Sequence, residues 1–170
     1  MNLPEKFEVL IITLSDRAHS GEYIDLSGPR IKEIISGYLS SLNWEFKINI
    51  TLIPDDAVIL GELLKSAGSI YNIVITTGGT GIGPRDITVE TVTPLLTKEI
   101  PGIMEFIRIK YGLENPNALL SRCVAGIMGK SLIYTLPGSV KAVDEYMTEI
   151  LKTLKHTVYM QYGIDIHKQH

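Results

Sequence analysis

The stretch Thr76-Thr77-Gly78-Gly79-Thr80-Gly81-Ile82-Gly83-Pro84-Arg85-Asp86 has the residue types of an oxyanion cradle. Four glycines within six residues let several backbone N–H groups turn toward one point, and a concave ring of N–H groups binds phosphate. Thr76, Thr77 and Thr80 offer hydroxyl donors, and Arg85 offers a charge-assisted donor. The competing reading is a plain strand-to-helix turn. Two other nucleotide fingerprints fail. G-x-G-x-x-G needs glycine at 84, where Pro84 stands. Gly129-Lys130-Ser131 ends like a P-loop, but the first glycine of that motif falls on Val124, so this segment reads as a hairpin turn.

Asp55 and Asp86 both follow proline-containing turns at strand ends. Paired carboxylates beside a phosphate pocket suit Mg²⁺, which takes oxygen ligands together with phosphates and water. It would offset charge developing on a transferring phosphoryl group. The alternative is that each caps a helix, and the two roles are compatible. Ser15-Asp16-Arg17, with Asp25, follows a buried strand and points either into the same crevice or into a surface salt bridge. Pro137-Gly138-Ser139 precedes a long helix, where Ser139 caps and the N-terminus favours anions. Ser121-Arg122 is a weaker candidate. His19, His156, His167 and His170 form no metal-ligand spacing, and Cys123, between Arg122 and Val124, reads as buried and inert.

The elements that must hold these groups are legible. Phe7–Leu14 and Asn72–Thr77 are continuous apolar runs, as in strands covered on both faces. Trp44–Ile53 alternates as a strand with one more exposed face. Ser27-Gly28-Pro29 opens a helix, Asp55 or Asp56 caps another over Ala57–Ile70, and further helices cover Val89–Leu96 and Gly102–Tyr111. Leu120–Ile127 and Ser131–Leu136 form a hairpin, and Val140–Val158 is a long amphipathic helix before a polar, fraying tail after Gly163. Strands alternating with helices predict a three-layer αβα fold with a mainly parallel sheet and one antiparallel strand or hairpin. In such sheets ligands bind beyond the carboxyl ends of the strands.

The 170 residues suggest one domain spanning the chain. A net charge of -3 removes the broad basic field of non-specific nucleic-acid binding. A lone cysteine rules out an intrachain disulfide. The sequence shows no signal-peptide pattern and no apolar run long enough to span a bilayer, so a cytoplasmic, membrane-free protein is expected.

Ser15-Asp16-Arg17…Gly21…Asp25-x-Ser27-Gly28-Pro29, Pro54-Asp55-Asp56, Thr77-Gly78-Gly79-Thr80-Gly81-x-x-Pro84-Arg85-Asp86-x-Thr88, Leu120-Ser121-Arg122 and Leu136-Pro137-Gly138-Ser139-x-Lys141 together resemble the molybdopterin adenylyltransferases. The resemblance runs from about Val9 to Lys141, with a shared Pro101-Gly102. It implies transfer of AMP from Mg-ATP to the terminal phosphate of molybdopterin, with release of pyrophosphate. It also implies a homotrimer and a molybdate-insertion protein downstream. The family's two essential acids fall on Asp55 and Asp86, which would hold Mg²⁺ through the ATP phosphates. Its phosphate loop falls on Gly78–Gly81 and its Pro-Gly-Ser turn on Pro137–Ser139. Ser15, Asp16, Arg17, Thr77, Arg85 and Ser121 would give general substrate contact. Intact Pro84-Arg85-Asp86 and Ser15-Asp16-Arg17 favour the catalytic group over a non-catalytic, pterin-binding paralogue. A phosphohydrolase or a purely structural assembly protein are further alternatives.

Overall fold

The computed structural model describes residues 2–164. The tail expected to fray, with His167 and His170, lies outside them from residue 165 onward. Six strands form one sheet: β1 (Phe7–Leu14), β2 (Phe46–Ile53), β3 (Ile73–Thr77), β4 (Lys98–Glu99), β5 (Ala125–Met128) and β6 (Ser131–Leu136). Their order is β2-β1-β3-β6-β5-β4. β2, β1, β3 and β6 run parallel, while β5 is antiparallel to both β6 and β4. The mainly parallel sheet with one reversed strand is as expected.

Alternation along the central strands divides the core. Val9 and Ile11, Ile73 and Ile75, and Leu132, Tyr134 and Leu136 face one side. There they pack on α2 (Ser27–Ser41), α5 (Pro101–Gly112) and α6 (Val140–Gln161) through Ile31, Ile35, Met104, Val143 and Met147. Leu10, Ile12, Leu14, Val74 and Ile133 face the other, against Leu60 and Leu64 of α3 (Ala57–Ile70) and Val92 of α4 (Thr88–Val92). Both faces are therefore covered, which explains the continuous apolar runs of β1, β3 and β6. β2 is an edge strand and only Ile53 is buried on it.

Two expectations shift. The expected helix over Val89–Leu96 is α4 followed by a 3-10 turn at Thr93–Leu95. The apolar run Leu120–Ile127 is a strand only from Ala125. Pro116–Leu120 is a 3-10 turn with Leu119 and Leu120 each 55% exposed. Proline starts that turn, and a run can be apolar without being covered.

Register places the site. Leu14 pairs with Ile53, Thr13 with Thr77, and Thr77 with Leu136. Four parallel strands therefore end at one level, and the loops beginning at Ser15, Pro54, Gly78 and Pro137 leave from the same edge of the sheet.

Candidate active site

The glycine loop leaves β3 and is fixed from behind. Gly78 N–H donates to the Leu136 carbonyl at 3.0 Å. Its φ is +98°, and a Cβ there would lie 2.2 Å from the Leu14 carbonyl oxygen, so only glycine fits. The loop carbonyls are taken in turn. Gly78 O accepts from Thr88 Oγ1 at 2.8 Å and Gly79 O from Thr88 N at 3.0 Å. Thr80 O accepts from Arg122 N at 3.1 Å and Gly81 O from Arg122 Nε at 2.7 Å. In a trans peptide the N–H points away from the preceding carbonyl. The amides of Gly79, Thr80, Gly81 and Ile82 thus face away from Thr88 and Arg122. Among the described residues, none of the first three donates a hydrogen bond within the protein.

Arg122 is held in turn by Glu90, which contacts Nη1 and takes Nη2 at 3.2 Å. This guanidinium holds the Glu90 carboxyl below its usual range. Sequence reading left Arg122 a minor role. The residue donates from backbone and side chain to adjacent carbonyls, which only the folded loop reveals.

A cavity of about 390 Å³ opens in front of the loop. Gly78, Gly79, Thr80, Gly81, Asp86, Ser121, Pro137, Gly138 and Ser139, all expected at the site, line it. Ser139 Oγ accepts from Ala142 N at 3.2 Å and caps α6. Gly138 lies close against Gly78, since a Cβ on it would be 3.4 Å from Gly78 Cα. Thr76 and Thr77 are fully buried behind the wall, and Thr77 Oγ1 donates to Pro137 O at 2.8 Å. Lys141, which the sequence showed only as part of the family motif, also lines the cavity, as do Asn115, Asn117, Glu145 and Tyr146, which sequence reading missed. Lys141 and Glu145 face it because they share the first turns of α6, a pattern visible only once the helix start is fixed.

The two acids stand beside the loop. Asp56, not Asp55, caps α3 by accepting from Val58 N and Ile59 N. Asp55 is thereby left for other work, and its Oδ2 accepts from Asp16 N at 3.0 Å while Asp16 Oδ1 accepts from Asp55 N at 3.0 Å. Asp55 Oδ1 would lie 3.5 Å from a Cβ at Gly79. Asp86 Oδ2 accepts from Gly83 N at 2.7 Å and would lie 2.8 Å from a Cβ at Gly81. Each carboxylate is anchored through Oδ2 by a backbone amide, and neither Oδ1 accepts a hydrogen bond from the described residues. Burial pushes the Asp55 carboxyl above its usual range. The charges of Asp16 and Asp86 add to the rise, against the Asp16 N–H and the Arg85 charge.

Arg85 donates to Asp16 Oδ2 from Nε at 3.0 Å and Nη2 at 2.6 Å. That contact holds the Asp16 carboxyl below its usual range. Ser15, Asp16, Arg17, Asp55 and Arg85 are outside the cavity wall. Ser15 caps α1 (Asp16–His19), and the Arg17 guanidinium sits 5.3 Å from the Tyr23 ring centre. Asp25 is occupied, accepting from Ser27 N, Gly28 N and Thr13 Oγ1.

Two free carboxylate oxygens flanking an amide cradle fit Mg²⁺ when phosphates complete its oxygen shell. Among the described residues no cluster of three or more His, Cys, Asp or Glu could hold a metal without such help. No helix of the described residues is long and apolar enough to cross a membrane.

The chain is similar to known proteins over most of its length. The family profile of the probable molybdopterin binding domain matches residues 10–156. Molybdenum cofactor biosynthesis protein B of Staphylococcus carnosus is 37% identical over 94% of this chain and 93% of its own length. Molybdopterin adenylyltransferase of Helicobacter pylori strain J99 is 36% identical over 90% of this chain and 86% of its own. Gephyrin of Dictyostelium discoideum is 38% identical over 91% of this chain, which spans only 22% of that protein. The crystal structure of the molybdopterin biosynthesis enzyme MoaB from Thermus thermophilus superposes with a TM-score of 0.82, at 34% identity over 92% of this chain and 97% of that one. The chain therefore belongs to the family of the probable molybdopterin binding domain, among the molybdenum cofactor biosynthesis proteins.

Proposed function

We propose that this protein is a molybdopterin adenylyltransferase, moving AMP from ATP to the terminal phosphate of molybdopterin and releasing pyrophosphate. The observation that carries this reading is the pairing of three undonated amides, at Gly79, Thr80 and Gly81, with two carboxylates that each keep one oxygen open. The name of the Helicobacter relative supports it.

The amides, with the Ser139 end of α6 and Lys141, hold the pterin phosphate. Asp55 and Asp86 are the residues that would hold Mg²⁺ on the ATP phosphates, and the ion would supply charge neutralisation there. An oxygen of the pterin phosphate forms the new bond to the α-phosphorus, and the bond from that phosphorus to the pyrophosphate oxygen breaks in line. The attacking phosphate is already ionised near neutral pH, so no protein base takes a proton. Rate acceleration rests on positioning and charge stabilisation.

The reading includes a cytoplasmic homotrimer that passes its product to a molybdate-insertion protein. Phe106, Ile109 and Leu113 support self-association, since they form an exposed apolar stripe on and just beyond α5.

The test is Asp86→Asn, assayed with molybdopterin, ATP and Mg²⁺. Adenylylated product should fall at least about 100-fold while pterin still binds. Unchanged turnover would refute the role of Asp86. Pterin binding by the wild-type protein without any ATP-dependent product would favour the non-catalytic paralogue.

A further inference from the structure

The cavity wall carries one acid that phosphate binding does not use. Glu145 stands six residues beyond the Ser139 cap, which at 1.5 Å per residue sets it roughly 9 Å along α6 from the cradle end. Helix side chains lean toward the N-terminus, so its carboxylate tilts back over the cavity it lines. The side chain is 23% exposed, and the ammonium of Lys141, itself 79% exposed, stands 3.7 Å away. Among the described residues Glu145 accepts no hydrogen bond. Glu149, one turn along, differs. It is 4% exposed and takes Lys110 Nζ at 2.6 Å and Lys152 Nζ at 2.7 Å. One acid is saturated by the fold and the other is left open.

Such a carboxylate in a cavity that receives phosphate is unfavourable on its own, because the Lys141 ammonium stands beyond hydrogen-bond distance and the carboxylate repels the anion. It becomes favourable when the ligand brings N–H groups to that end. Two carboxamides line the same cavity. Asn115 Oδ1 accepts from Asn117 N at 3.2 Å, which leaves the Asn115 NH₂ to donate. The Asn117 carboxamide makes no hydrogen bond among the described residues. One acceptor pair and free amide donors match a 2-amino-4-oxopyrimidine edge, where two N–H donors adjoin a carbonyl oxygen. Adenine matches poorly, since a ring nitrogen acceptor adjoins its amino group and would face the carboxylate.

We propose that Glu145 is the specificity-determining residue that accepts the paired N–H donors of the pterin, with the Asn115 and Asn117 carboxamides donating to its carbonyl. This rests on the pterin reading above and orients the ligand: phosphate at the glycine loop, pyrimidine edge at Glu145.

The experiment is a fluorescence titration with 6-hydroxymethylpterin monophosphate and its lumazine counterpart, in which a carbonyl replaces the 2-amino group. Wild-type protein should prefer the pterin by about 10-fold or more, since a site built for N–H donors is left unpaired by the analogue. Glu145→Gln should weaken pterin binding about 10- to 100-fold and abolish the preference, while the KM for ATP stays unchanged. No preference in the wild type, or the full preference retained in Glu145→Gln, would overturn the assignment of Glu145 and leave adenylyl transfer standing. No pterin binding by the wild type would overturn both readings. The wild-type comparison needs no variant, so it holds even if the substitution disturbs folding.

Discussion

Two glycine turns sit at opposite ends of the sheet, and they differ in which half of the peptide they leave open. Beyond β3, Gly78 and Gly79 have φ of +98° and +64°; between β5 and β6, Gly129 has φ of +59°. Around Gly129 both polarities are consumed. Lys130 N–H donates to Gly68 O at 2.9 Å, and Lys130 O accepts from Gln161 Nε2 at 2.8 Å. At the glycine loop Thr88 and Arg122 consume the carbonyls only, so the amides are left for a ligand. Glycine permits the turn in both places. The neighbours that take its carbonyls decide whether it can bind an anion.

Three substitutions would break or sharpen this contrast. Gly81→Ala should have the largest effect on chemistry. Gly81 is not in the left-handed region, so the fold should persist. The new Cβ would meet Asp86 Oδ2 at 2.8 Å and displace it. Adenylylation should drop about 100-fold with little change in melting temperature, and equal losses of activity and stability would argue that the loop is structural. Gly129→Ala should do the reverse. Its Cβ would lie 2.7 Å from Gly68 O at a positive φ, costing about 2 kcal/mol in urea denaturation and leaving turnover per folded molecule intact. Reduced turnover there would erase the distinction between the turns.

The smallest effect concerns pH. Burial and the charges of Asp16 and Asp86 raise the Asp55 carboxyl, and metal binding requires its ionised form, so activity should fail on the acid side at a higher pH than for an ordinary aspartate. Asp16→Asn removes one like charge and keeps the backbone N–H bonded to Asp55. The acid limb of the kcat/KM profile should therefore move to lower pH; a shift upward would contradict this account of Asp55.

Much of the fold was legible because burial writes itself into pattern. β1 and β3 read as doubly covered strands, and α3 began at an Asp-rich cap as expected, though sequence left Asp55 and Asp56 interchangeable. Tertiary contact separated them: Asp56 turns to its own helix, and Asp55 reaches across to Asp16. β4 was not foreseen, since Lys98 and Glu99 are exposed and join the sheet only by pairing with β5. Glu145 and the asparagines have no local mark of function, because helix α6 and a 3-10 turn distant in sequence must meet before they share a cavity.

By itself the sequence determined the strands, the flexible glycine run and the acids able to stand near it, since periodicity, φ freedom and side-chain chemistry are local properties. The tertiary structure alone decided which way the peptide planes face and which carboxylate oxygens stay open. Those outcomes depend on partners such as Thr88, which folds back from 10 residues along the chain, and Arg122 and Asp16, brought in from 41 and 39 residues away.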